Sequence, residues 1–256
     1  MITDRITVYQ PSIQEIIDYG EDDFYSMLYV FIGNTTLRRL FLWENGIDWN
    51  TMTDYELFCS LVRMFPPEKT SILFGDLDFT GFDMYERTDY QPESDDPDKK
   101  LTKNEKRLKK FREFEAKYTF YNKDQQIELS ADTYHKMAEV LRYTFSSFPK
   151  AEYTFGKTAK EFIIEEEKNK AEMSKKEETP SSTLQPLISF CVNHPGFKYR
   201  KDELRNVKIN ELMDSVQRLQ IWEQTHALMG GCYSGFCDTS KIPREQFDFM
   251  RQIRRK

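Results

Sequence analysis

The stretch Lys157-Thr-Ala-Lys-Glu-Phe-Ile-Ile-Glu-Glu-Glu-Lys-Asn-Lys-Ala-Glu-Met-Ser-Lys-Lys-Glu-Glu-Thr-Pro-Ser-Ser-Thr183 divides the chain. Six Lys and seven Glu fall among its 27 positions. Several oppositely charged residues stand four apart, and Lys, Glu and Ala are good helix formers, so a helix is predicted over 157–176. Glu178-Thr-Pro-Ser-Ser-Thr183 then reads as a flexible break, because clustered Pro, Ser and Thr interrupt helices. The sequence is built differently on either side of this stretch. The expected fold class is α+β, predominantly α: an α-rich lobe with a small β hairpin or sheet over 1–156, a charged helical connector over 157–183, and a helical lobe over 184–256.

Working outward toward the start, Ile2-Thr-Asp-Arg-Ile-Thr-Val-Tyr9 has the β-branched alternation of a short strand. Ser12-x-x-Glu15 is a capping box that opens a helix of about two turns, ended by Gly20. Two further helices are read over 22–32 and 36–44. A fourth starts at the capping box Thr53-x-x-Glu56, with Leu57, Phe58, Leu61, Val62 and Phe65 on one face, and stops at Pro66-Pro67. Leu77 and Phe79 suggest a strand pairing with 116–121, and Asn122-Lys123-Asp124 a hairpin turn between 118–121 and 125–129. From Ala131 a helix carries Tyr134, Met137, Ala138, Leu141, Phe145 and Phe148 on one stripe up to Pro149. Beyond the charged stretch, helices are expected over 184–192, 201–207, 209–229 and 243–253. The longest aligns Ile209, Leu212, Met213, Val216, Leu219, Trp222, His226 and Met229.

With 39% hydrophobic and 14% aromatic residues the chain can bury a substantial core. Its net charge of −6 is unevenly spread: counting along the chain gives −10 for residues 1–92, 0 for 93–183 and +4 for 184–256. Nucleic-acid binding needs a concentrated cationic face, which this distribution argues against. The basic run 99–112 is interrupted by Glu105 and preceded by Asp95, Asp96 and Asp98, so it reads as a solvated, self-compensating face; the tail Arg251, Arg254, Arg255, Lys256 reads as a solvated terminus. There is no 18-residue apolar run, and the first residues lack the basic start and apolar segment of a signal peptide. Four scattered cysteines do not make a disulfide framework. A cytosolic protein without membrane contact is expected.

Few residues are placed as chemistry requires. His226, Cys232 and Cys237, with the distant Cys191, carry zinc-ligand side chains, but Cys232-x4-Cys237 is wider than the usual knuckle, and buried small side chains plus a core histidine explain them better. Asp76-Leu-Asp78 resembles a cation-binding pair and reads more simply as a turn in an acidic lobe. Gly230-Gly231-Cys-Tyr-Ser-Gly235 lacks the Lys of a phosphate loop and reads as a helix cap and turn. Cys191 and His194 stand three apart, where packing is the simpler account. No catalytic residue, metal or cofactor is expected, and binding is favoured over reaction.

Tyr9-Gln-Pro-Ser-Ile-Gln-Glu-Ile-Ile-Asp-Tyr-Gly-Glu21, the helix start over 207–216 and Tyr233-Ser-Gly-Phe-Cys-Asp-Thr-Ser-Lys-Ile242 resemble the opening and the helical ending of tail-assembly-chaperone-like proteins from phages of Gram-positive bacteria. The resemblance leaves 70–150 unexplained. It implies a non-enzymatic protein in the bacterial host cytoplasm that binds the tape-measure protein and the tail-tube protein during virion assembly. Trp222, Tyr233 and Phe236 are the candidate aromatic anchors for such a partner. Two alternatives stand beside it: a structural tail or connector subunit of the virion, and an enzyme or nucleic-acid-binding factor whose site is not visible in sequence.

Overall fold

A computed structural model describes residues 1–92, 101–176, 182–235 and 239–253. In chain order its first half holds α1 (Ile13–Tyr19), α2 (Glu21–Ile32), α3 (Arg39–Glu44), α4 (Asp54–Val62), α5 (Pro67–Phe74), β1 (Phe82–Glu86), α6 (Lys103–Lys117), β2 (Tyr118–Asn122) and β3 (Ile127–Leu129). The second half is helical among the described residues: α7 (Ala131–Phe145), α8 (Lys157–Lys176), α9 (Leu184–Asn193) and α10 (Ile209–Tyr233), with short 3-10 turns at Glu203–Asn206, Thr239–Lys241 and Arg244–Phe247. The fold is thus α+β and mostly helical.

Contacts gather the chain into two compact units, and both are discontinuous. The first comprises Met1–Tyr9, Asp23–Arg142 and Pro149–Pro180; the second comprises Gln10–Asp22, Tyr143–Phe148 and Ser181–Lys256. This division differs from three consecutive segments bounded at 156 and 183. Residues 10–22 are drawn into the second unit by backbone pairing, and the charged helix α8 belongs to the first by packing.

The first unit is built on aromatic side chains. Phe58 stacks on Tyr134 with ring centroids 4.7 Å apart, Phe82 stacks on Phe120 at 5.1 Å, and Phe31 and Phe74 meet at 4.6 Å. The antiparallel order β1-β2-β3 sets Met84 opposite Phe120 and Phe120 opposite Leu129, so alternate residues of the sheet face this core. The Tyr55 hydroxyl crosses the core and donates to the Leu129 carbonyl at 2.7 Å, satisfying a buried polar atom.

Two expectations for this unit are corrected, and one unexpected helix is added. Residues 2–9 form no strand: Ile6 and Thr3 pair within a turn, and the Tyr9 N–H donates to the carbonyl of Leu73, leaving no ladder. Pro67 begins α5, since proline at the first helical position gives up only a donor that has no intrahelical partner. The strand lies at 82–86 instead of around 77–79. Leu77 and Phe79 are buried in the preceding turn, where the Asp78 carboxylate accepts from the Thr80 N–H.

Helix α8 is the predicted charged helix, yet its strongest contacts are long-range. Ile164 enters a buried cluster with Leu42, Trp49 and Leu57. Around it Arg39 pairs with Glu167 at 2.5 Å, and Lys160 with Asp48. The i, i+4 pair Lys157–Glu161, at 3.8 Å, is solvent-exposed and adds little.

In the second unit the capping box is complete. The Ser12 N–H donates to Glu15 Oε2 at 2.6 Å and Glu15 N–H to Ser12 Oγ at 3.3 Å; the first bond above all holds the Glu15 carboxyl below the ordinary carboxylate range. The Ile13 N–H donates to the Val207 carbonyl and the Ile209 N–H to the Pro11 carbonyl, each at 3.0 Å, forming an antiparallel bridge between Ser12 and Lys208. Glu21 caps α9 from a distance, accepting from the Thr183 and Leu184 N–H groups and the Ser182 hydroxyl. Ile209, Leu212 and Val216 of α10 are buried. The helix expected over 201–207 is a single 3-10 turn, and that over 243–253 reduces to Arg244–Phe247. In the latter region arginine side chains take the backbone carbonyls: Arg251 Nη1 donates to Gln246 O at 3.0 Å, and Arg218 Nη1 to Phe249 O at 3.3 Å and Arg251 O at 2.9 Å.

Among the described residues no helix is long and apolar enough to cross a membrane.

Candidate functional site

The apolar stripe of α10 loses its cover partway along. Downstream of Val216, Trp222 is 40% exposed and Tyr233, the last residue of the helix, 85% exposed. Leu219 and Trp222 form one wall of a cleft of about 560 Å3, and Phe249 and Met250, held by the Arg218 bonds to the neighbouring carbonyls, form another. Phe249 and Met250 are themselves 47% and 72% exposed. An apolar patch of this kind, rimmed by polar groups, is the usual mark of a contact surface.

His194 closes one end, and its hydrogen bonds define its state. Nδ1 accepts from the Gly196 N–H at 3.0 Å, so the proton sits on Nε2, which donates to Glu223 Oε1 at 2.9 Å. Gly196 allows a close approach: a Cβ there would come 3.2 Å from the imidazole ring, which would have to shift by a few tenths of an ångström. Trp222 meets His194 edge-on at 6.0 Å and packs against His226 at 3.8 Å between centroids. His226 Nδ1 lies 3.1 Å from the Trp222 carbonyl, and since a carbonyl only accepts, that nitrogen carries the proton. Both rings thereby brace the indole. The cleft offers contact area and a rigid aromatic wall.

The residues singled out for metal or nucleophilic chemistry are dispersed. Cys191 is fully buried on α9, and burial pushes its thiol up to about 11, away from a reactive thiolate. His226 is turned toward Trp222 as above. Cys237 and the anchor candidate Phe236 lie outside the described residues. Among the described residues no group of three or more His, Cys, Asp or Glu side chains is placed to hold a metal ion. Asp76 and Asp78 belong to a turn docked on the hairpin: Gln125 Nε2 donates to the Asp76 carbonyl at 2.9 Å and Asn122 Nδ2 to the Asp78 carbonyl at 3.1 Å. Gly230 and Gly231 continue α10 instead of ending it; the turn comes at Gly235, whose φ of 77° suits glycine.

Over 101–112 the charged side chains Lys103, Glu105, Lys106, Lys110 and Arg112 are exposed, as a solvated face expects, and Arg107 is the exception. Arg107 on α6 is only 9% exposed, because its guanidinium lies 3.3 Å from the centre of the Tyr153 ring and 5.0 Å from that of Phe111.

Of the sequence-derived anchors, Trp222 lines the cleft and Tyr233 stands exposed farther along α10. Phe249, Met250 and the His194–Glu223 pair were not anticipated. They come from separate segments, and no local periodicity connects them. Comparison with protein-family models, with curated proteins and with solved structures finds no match to this chain.

Proposed function

We propose that the protein works by binding, receiving an apolar helical segment of a partner protein in the Trp222 cleft, and that it serves as a phage tail assembly chaperone whose clients are the tape-measure protein and the tail-tube protein. The observation that carries the binding reading is the exposure of Trp222, Phe249 and Met250 around one cleft. Aromatic anchors and an adaptable methionine suit the apolar face of a helix, which presents side chains at i, i+3 and i+4. The phage assignment rests on the resemblance of the segments 9–21, 207–216 and 233–242. In its support, residues 10–21 and 207–216 pack together in one unit through the Ser12–Lys208 bridge.

The test is affinity capture of the tagged protein from phage-producing cells, with mass spectrometry of what co-purifies, beside a search for the protein in purified virions. Tape-measure or tail-tube protein in the capture, its loss with Trp222→Ala and Met250→Ala together, and absence from virions are the expected results. Stoichiometric presence in virions makes the protein a structural subunit instead, and capture of no tail protein removes the phage reading.

A further inference from the structure

The first unit carries a second site, unrelated to the aromatic cleft. Lys103, Lys106, Arg107 and Lys110 stand at i, i+3, i+4 and i+7 of α6 and so share one face, which lines a cleft of about 380 Å3 together with Phe111 and Phe155. Arg107 forms its floor. Its Nη2 donates to Asn104 Oδ1 at 3.1 Å, but its Nε and Nη1 are buried without a hydrogen-bond partner. Burying a guanidinium with unmet donors is costly unless an anion completes it. Asp48, which also lines the cleft, is committed to Lys160. The Tyr153 ring covers one face of the guanidinium, its centre 3.3 Å from Cζ.

We infer that this cleft binds a small phosphate-bearing ligand, its phosphate oxygens taken by Arg107 and the flanking Lys103, Lys106 and Lys110. Guanidinium and ammonium groups converging on one concavity match a multiply charged oxyanion. The cationic face runs only about 10 Å along the helix, seven residues at 1.5 Å each. That length fits two or three linked phosphates and is short for a nucleic-acid track. Phe155, 49% exposed at the cleft, offers a flat surface for a ring carried by the ligand.

Calorimetric titration with tripolyphosphate and with ATP, in low salt and without divalent cations, tests this. Both probes are expected to bind, and Arg107→Met to weaken each by about tenfold or more, as loss of charge-assisted hydrogen bonds predicts. Should Arg107→Met fail to fold, Lys103, Lys106 and Lys110 changed together to Gln give the same readout from the surface of the cleft. Equal affinity for the two probes assigns the site to free polyphosphate; tighter ATP binding that Phe155→Ala abolishes assigns it to a nucleotide. The inference is overturned if neither probe binds at millimolar concentration, or if binding is unchanged in both cationic variants. It is also overturned if affinity for an oligonucleotide exceeds both and grows with length.

Discussion

The two units build their cores from different side chains. In the first, Phe31, Tyr55, Phe58, Phe79, Phe82, Phe120 and Tyr134 are almost completely buried and form one network of ring contacts. In the second, the buried core is mainly aliphatic, from Ile13, Ile16, Leu184, Leu204, Ile209 and Leu212, while Trp222, Tyr233 and Phe249 lie open to solvent. Both units leave rings open to solvent, Phe155 and Phe162 in the first as Trp222 and Tyr233 in the second, but only the first builds its core from them. A large ring left exposed forgoes the free energy of burial, about 25 cal/mol per Å2 of apolar area, and that free energy stays available for a partner.

The sharpest way to break this contrast is truncation of a ring in each unit. Phe58 is fully buried and packed against Phe31, Phe79, Phe120 and Tyr134; Phe58→Ala is expected to cost about 3–5 kcal/mol in chemical denaturation, through lost burial and the cavity left behind. A loss below about 1 kcal/mol would mean that the aromatic core is not what holds the first unit. Next comes Glu21→Ala, which uncaps α9. About 1–2 kcal/mol is expected, with faster amide exchange at the start of that helix and no change around Phe58. Trp222→Ala should cost about 1 kcal/mol or less, since the indole is substantially exposed, while removing partner binding; a loss as large as that of Phe58→Ala would show Trp222 to be core.

The smallest effect is a pH dependence confined to the first unit. His135 on α7 has its pKa raised, chiefly by the hydrogen bond to Glu115 at 3.2 Å, with burial opposing; Asp54 raises it further and Arg142 lowers it. Because the folded value lies above the unfolded one, near 6.5, the contribution is fully present below that pH and is lost as pH rises through the folded value. His135→Gln is expected to flatten stability against pH in this window, and an unchanged slope would assign the dependence to another group.

Much of the fold was legible because its signals are local. The Ser12 and Thr53 caps, the Gly20 stop, the hairpin around Asn122 and the helix from Ala131 each depend on residues a few positions apart. Errors arose where a distant group supplied the partner. Residues 2–9 carry strand-like residues but find no strand to pair with, and 243–253 lose helical bonding to arginine side chains. The candidate cleft was legible only through Trp222 and Tyr233. Phe249 and Met250 give no pattern of their own, and the burial of Arg107 depends on Tyr153, 46 positions away in the chain.

The sequence by itself determined the mostly helical α+β class and the charged helix over 157–176, because helix propensity, capping and hydrophobic period act over a few residues. Tertiary structure alone decided that 10–22 pack with the last third of the chain, that α8 is pinned by Ile164 and by ion pairs to Arg39 and Asp48, and that one unit has a core of stacked rings while the other has a mainly aliphatic one. Those outcomes turn on which surfaces meet, and burial belongs to the packed assembly of segments, not to any residue taken with its neighbours in sequence.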